Sequence, residues 1–162
     1  MRFSLHGVRQ LVDRKATVDE PRAIFTTYAR LSGIFVSGPG AQQIYRMNAD
    51  GADVQRVTNG EGEASNPSWS PDGQKMAFSW TQGYSKGQWN IFVMEFGSGQ
   101  YVQLTHGEGK NENPVWAPDG RHLVFTSTRS GRPQIYTMLA DGTQVKLLTQ
   151  QGSNRSPVWG VK

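Results

Sequence analysis

One phrase recurs along this chain and constrains its fold more than any other feature. It reads Asn66-Pro67-Ser68-Trp69-Ser70-Pro71-Asp72-Gly73, then Asn113-Pro114-Val115-Trp116-Ala117-Pro118-Asp119-Gly120, and begins again as Ser156-Pro157-Val158-Trp159. A second phrase lies between the copies: Gln43-Ile44-Tyr45-Arg46-Met47, Asn90-Ile91-Phe92-Val93-Met94 and Gln134-Ile135-Tyr136-Thr137-Met138. Each is followed by a hydrophobic-Thr pair, Val57-Thr58, Leu104-Thr105 or Leu148-Thr149. The tryptophans are spaced by 47 and then 43 residues (116 − 69 and 159 − 116). A period in the forties with four short strand-like runs per unit is the signature of a β-propeller blade.

One unit shows why each run is a strand. In Asn66–Ser70, Pro67 and Trp69 are two apart and share a face. Pro71-Asp72-Gly73 is turn chemistry: proline presets φ, aspartate accepts local hydrogen bonds and glycine tolerates positive φ. Lys75–Trp80 follows, then Trp89–Glu95, whose Ile91-Phe92-Val93-Met94 is apolar on both faces. Such a strand must be covered on both sides, which neighbouring blades do. Gln100–Thr105 is the polar, alternating outer strand. The next unit repeats the order as Asn113–Ala117, His122–Ser127, Gln134–Leu139 and Val145–Thr149.

The expected architecture is therefore all-β: residues 33–162 form a partial propeller after a leader of residues 1–32. It divides into a strand triplet at 33–59 (Ile34–Ser37, Gln43–Met47 and Val54–Thr58), full blades at 64–106 and 111–150, and a closing strand at 155–161. The lone last strand is of the innermost type, which the triplet lacks, so it is expected to complete the first blade and leave no unpaired edge. That gives an arc of about three four-stranded blades, half of a six-bladed ring. Two exposed blade faces of about 500 Å² of apolar area each would forfeit on the order of 25 kcal/mol of burial. Either the chain is part of a longer propeller, or two arcs join as a homodimer with the strand exchanged between chains. In the leader, Asp19-Glu20-Pro21 followed by Ile24, Phe25, Tyr28 and Leu31 predicts a short helix near 20–32, ended by Gly33. The alternative is a degenerate inner strand at Phe25–Tyr28.

Composition narrows the function classes. No apolar run approaches the length of a membrane span, so no membrane insertion is expected. The first ten residues lack the apolar stretch of a secretion signal. The chain has no cysteine, so disulfides and thiolate metal sites are excluded. Its net charge of +4 sits mainly in the leader, where six Arg/Lys against three Asp/Glu give +3. Nucleic-acid binding would need a basic stripe on the folded body, and none is expected.

Candidate chemistry is sparse. Gly83-Tyr84-Ser85-Lys86-Gly87 matches a nucleophile elbow, but it joins antiparallel strands and not a strand to a helix. Gly60-Glu61-Gly62-Glu63 and Gly107-Glu108-Gly109-Lys110 lack the ending and helix of a phosphate cradle. Asp50, Asp72, Asp119 and Asp141 each precede glycine, which is hairpin chemistry; a channel cation remains an open alternative. His6, His106 and His122 have no zinc-site spacing. No cofactor, catalytic residue or metal ligand is expected. Trp69, Trp116 and Trp159 recur and belong to the core. Trp80, Tyr84 and Trp89 do not recur, which marks them as a binding surface. Neighbouring loops add Asn66, Lys110, Glu112, Asn113, Arg129 and Arg132, although Arg129 could equally pin its own hairpin.

Pro67-Ser68-Trp69-Ser70-Pro71-Asp72-Gly73, together with Ile44 to Gly51 and Ile135 to Gly142, resembles the WD40-like repeats of the TolB β-propeller family. Phe125 to Tyr136 is similar to that family's link between second and third strands, and Pro157-Val158-Trp159 to its closing strand. The resemblance covers about residues 33–162. It implies a non-enzymatic periplasmic scaffold of the Tol–Pal envelope system that binds a peptidoglycan-associated lipoprotein. Such proteins carry six blades after an α/β domain, twice the blades seen here. Similar repeats occur in propellers of prolyl-oligopeptidase-like serine peptidases, which leaves that class, or an inactive fragment, as the alternative.

Overall fold

The computed structural model describes residues 9–11, 22–27, 42–48 and 53–160, with backbone alone for 9–11, 22–27 and 47. Twelve strands form three four-stranded antiparallel sheets, each running in chain order from its inner to its outer strand. The first holds β1 (Arg9–Leu11), β2 (Arg22–Thr27), β3 (Gln43–Asn48) and β4 (Gln55–Arg56). The second holds β5 (Ala64–Trp69), β6 (Lys75–Trp80), β7 (Asn90–Glu95) and β8 (Gln100–Gln103). The third holds β9 (Asn111–Trp116), β10 (His122–Ser127), β11 (Gln134–Leu139) and β12 (Lys146–Leu147). This is an arc of three propeller blades.

The repeated phrase builds each blade's inner hairpin. Asn66 and Asn113 have φ of 54° and 55°, and the ladder slips beside each, between Ser65 and Ser68 and opposite Val124 and Thr126. Asparagine tolerates the left-handed region, and the proline after it has no N–H to lose where the ladder skips. Asn-Pro is thus a β-bulge, which the simple alternation does not reveal. Pro-Asp-Gly then turns the chain. The Gly73 N–H donates to the Ser70 carbonyl at 2.9 Å and the Gly120 N–H to the Ala117 carbonyl at 3.0 Å, with φ of 67° and 65° at the two glycines.

Two apolar layers lie between the sheets. Ile44, Val57, Trp69, Met76, Phe78, Trp80 and Phe92 fill the first. Ala77, Ile91, Val93, Leu104, Trp116, Leu123, Phe125, Tyr136 and Met138 fill the second. β7 serves both, Phe92 facing back and Ile91 and Val93 facing forward, as its two-sided apolar run requires.

Two expectations are corrected and one falls outside the described residues. The helix near 20–32 is replaced over Arg22–Thr27 by β2, which pairs with β3 from Arg22↔Asn48 to Thr27↔Gln43. The run Ile24-Phe25-Thr26-Thr27 is β-branched and aromatic, and it satisfies backbone groups of β3 that would otherwise form an open edge. It is the second strand of its blade, with β1 at the inner place. The closing strand at 155–161 does not complete the first blade: residues 153–160 belong to no strand and pack against the third. The Asn154 N–H donates to the Pro133 carbonyl at 2.9 Å, as Asn111 does to Trp89 and Ala64 to Gln42. The Ser156 N–H donates to Thr126 Oγ1 at 3.1 Å, as Asn113 does to Ser79 Oγ at 3.2 Å. Ser156 shares the bulge φ, 52°. The segment therefore sits where the inner strand of a further blade would sit. The strand expected at Ile34–Ser37 lies outside the described residues, as does residue 161.

Candidate interaction surface

The loops joining β6 to β7, β8 to β9 and β10 to β11 emerge at one end of the blades and touch. The 81–89 loop folds on itself through Tyr84 N–H to the Thr81 carbonyl and Gln88 N–H to the Ser85 carbonyl, both 2.9 Å. It then lies on the 106–110 connector. Gln88 Nε2 donates to the Gly109 carbonyl at 3.1 Å, and the Trp89 carbonyl accepts from Asn111 N–H at 2.9 Å. The Tyr84 ring crosses Gly107, where a β-carbon would stand 3.5 Å from it. Gln103 Nε2 donates to the Tyr84 hydroxyl at 2.9 Å.

The nine nominated residues divide by what surrounds them. Tyr84, 37 % exposed, the half-buried Trp89 and the exposed Lys110 lie along one strip. A β-carbon at Gly87 would stand 3.9 Å from Lys110 Nζ, so the lysine head reaches the tip of the loop. Asn66, Glu112 and Asn113 instead belong to the inner-strand bulges of β5 and β9. There Asn66 Oδ1 accepts from Ser65 Oγ at 2.7 Å. Arg132 is exposed on the 128–133 turn of the next blade.

Trp80 is a correction. It is 1 % exposed, its ring 5.6 Å from Phe78 and 5.3 Å from both Phe92 and Tyr101. It is a core residue and offers no surface to a partner. Arg129 pins its own hairpin. Its guanidinium lies 5.5 Å from the Phe125 ring and 5.0 Å from Tyr136. It donates from Nε to Ser127 Oγ and from Nη2 to Asn111 Oδ1, both 3.0 Å. Glu108 faces it at 3.9 Å. Burial pushes the Glu108 carboxyl up, but its own N–H, that of His106 and the Arg129 charge outweigh this and hold it below the usual range.

Sequence reasoning missed Lys86 and Gln103. Lys86 is highly exposed and loosely paired with Glu63 at 3.9 Å; its place beside Tyr84 in a non-repeating loop was the available signal. The nucleophile-like Ser85 lies in a turn between antiparallel strands, its carbonyl occupied by Gln88. Asp72, Asp119 and Asp141 accept the N–H groups of Gln74, Arg121 and Thr143 in their turns. Among the described residues no group of three His, Asp or Glu could hold a metal ion.

The TolB beta propeller domain family matches residues 55–162. The Tol-Pal system protein TolB of Francisella tularensis subsp. mediasiatica is 43 % identical over 112 residues, covering 69 % of this chain and 24 % of that protein. The chain thus spans about a quarter of the length of that curated relative. Among solved structures, TolB from Agrobacterium tumefaciens superposes with a TM-score of 0.68 at 27 % identity, over 82 % of this chain and 44 % of that one. A structure of prolyl endopeptidases matches 78 % of this chain and 20 % of its own length, with a TM-score of 0.53 and 14 % identity; this is a likeness of fold alone. The repeated Trp phrase, the stacked blades and the match across two thirds of the residues converge: the chain belongs to the TolB β-propeller family.

Proposed function

We propose that this chain is a non-enzymatic protein-binding module of the Tol–Pal envelope system, working in the periplasm and engaging a peptidoglycan-associated lipoprotein. The observation that carries the reading is the loop strip. A segment that does not recur in the third blade is held by five hydrogen bonds and leaves Tyr84 exposed, with Lys86 and Lys110 beside it. An exposed tyrosine on a clamped loop is the kind of anchor at which interfaces concentrate their energy, and the lysines beside it set the charge a partner meets. Asn66, Glu112, Asn113 and Arg132 would form the margin of the contact. The peptidase alternative has only a likeness of fold in its favour.

The test is capture of the soluble domain of a peptidoglycan-associated lipoprotein. Replacing Tyr84 and Lys110 together by alanine should weaken it at least about tenfold, some 1.4 kcal/mol, without moving the unfolding midpoint. Undiminished capture overturns the proposal.

A second copy of the chain is the partner we propose for the far side of the third blade. Leu148 there is 55 % exposed where its counterpart Leu104 is 6 %, and Trp159 is 39 % exposed where Trp116 is 6 %. Two arcs meeting head to tail, the third blade of each against the first blade of the other, would make a six-bladed ring. Light scattering on the purified chain should report a dimer; a clean monomer overturns this part.

A further inference from the structure

Asn59-Gly60 sits at the junction between the first and second blades. Four other steps place glycine after an aspartate: Asp50-Gly51, Asp72-Gly73, Asp119-Gly120 and Asp141-Gly142. All five share one latent reaction, in which the glycine nitrogen attacks the side-chain carbonyl before it. A glycine, having no side chain, lets the five-membered ring close. A nitrogen already held in a hydrogen-bonded turn is a poor attacker, because the bond must break and the turn open first. Gly73, Gly120 and Gly142 are held in this way, donating to the carbonyls of Ser70, Ala117 and Leu139 at 2.9, 3.0 and 2.9 Å. Gly51 lies outside the described residues. The Gly60 N–H meets no acceptor among the described residues. Asn59 is exposed, and its side-chain amide is likewise free of hydrogen bonds to them. An amide is also a better electrophile than an ionised carboxylate, and turn hydrogen bonds keep Asp72, Asp119 and Asp141 ionised.

We infer that Asn59 is a self-modifying site at which the first blade junction ages. The Gly60 nitrogen loses its proton and bonds to Asn59 Cγ. The Cγ–Nδ2 bond breaks and ammonia leaves. Water then opens the succinimide at either carbonyl, giving aspartate or, with the main chain rerouted through the side chain, isoaspartate. The rerouted product lengthens the backbone by one methylene, and the surroundings leave no room for it. Gly60 lies so close to the Trp80 ring that a β-carbon would stand 2.7 Å from it. The Tyr101 hydroxyl, beside the Asn59 N–H, donates to the Val57 carbonyl and ties β8 to the first blade. Isoaspartate at 59 therefore loosens the seam that Tyr101 and Trp80 close.

The experiment is incubation of the full chain in mildly alkaline buffer, with peptide mapping that separates aspartate from isoaspartate. Isoaspartate should accumulate at position 59 several-fold faster than at 72, 119 or 141, and Asn59→Gln should abolish it there. Equal rates across the steps, or an intact Asn59 amide after the Asp-Gly steps have converted, overturns the site. The aged fraction should unfold at lower denaturant than fresh protein, while Asn59→Asp, which keeps the normal backbone, should match the fresh protein. An unchanged midpoint in the aged fraction overturns the effect on the junction.

Discussion

The second and third blades solve the same packing problem with different atoms. In the second, Phe78 and Phe92 are closed over by the Trp80 ring. In the third, the equivalent Phe125 and Tyr136 are present but Ser127 stands in the tryptophan's place. The gap is covered from two residues further on, by the Arg129 guanidinium lying over both rings. A flat cation and a flat indole fill one slot, but they hold it by different forces. The indole acts through buried area, whereas the guanidinium adds attraction to the ring faces and three polar contacts. A repeat can thus lose its largest side chain and keep its shape, provided that a neighbouring position supplies a planar group.

Substitution should separate the two solutions. Trp80→Ala leaves a cavity in a fully buried layer and should cost about 3–5 kcal/mol in denaturant unfolding. Arg129→Ala should cost about 2 kcal/mol, and Arg129→Lys should recover little of it, since lysine has no plane to stack. Equal losses for Trp80→Ala and Arg129→Ala would break the comparison.

The Pro-Asp-Gly turns differ in a milder way. The Ser70 hydroxyl, then the Gln74 N–H, lowers the Asp72 carboxyl. For Asp119 the Arg121 N–H comes first and the His122 side chain second. Both carboxyls are depressed in the folded state. Their contribution is therefore complete above the ordinary aspartate pKa and disappears as pH falls through the lowered folded values. The paired replacement Asp72→Asn and Asp119→Asn should flatten the acid limb of a stability-versus-pH curve. An unchanged limb would show that these turns contribute nothing there.

The smallest effect tests the blade-to-blade latch. Gln43 and Gln134 each accept from the threonine of their outer strand and donate Nε2 to the carbonyl of Gly62 or Gly152, at 2.8 and 2.9 Å. Asn90 is one carbon shorter. Its Oδ1 still accepts from Thr105, but its Nδ2 is buried without a partner, and Asn111 and Gln88 reach Gly109 in its place. Asn90→Gln should restore the missing bond and raise stability by about 1 kcal/mol. A loss would mean that the buried site cannot hold the added methylene.

What was legible in the sequence followed from how local the physics is. Trp69, Trp116 and the Pro-Asp-Gly turns could be read because a turn is decided by the residues within it. The two-sided run at Ile91–Met94 revealed the stacking of blades, since only a covered strand is apolar on both faces. β2 was obscured because Ile24, Phe25, Tyr28 and Leu31 fit helical spacing equally well, and only pairing with the distant β3 decides between them. The seat of Ser156–Trp159 was misjudged for the same reason, as an inner strand carries no local mark of which blade it will join. At the candidate surface, Tyr84 and Trp89 stand out because they break the repeat, and Lys110 because its loop adjoins theirs. Trp80 breaks it too, yet it is core, because its substitute Arg129 lies two positions out of register.

The N–H bonds that Ala64, Asn111 and Asn154 send to the preceding sheet give the arc a direction. Each sheet, once formed, presents a finished mould for the segment that follows it. A chain emerging from the ribosome amino-terminus first could thus add its blades one after another, every new one cast against the last, without waiting for a distant portion to arrive.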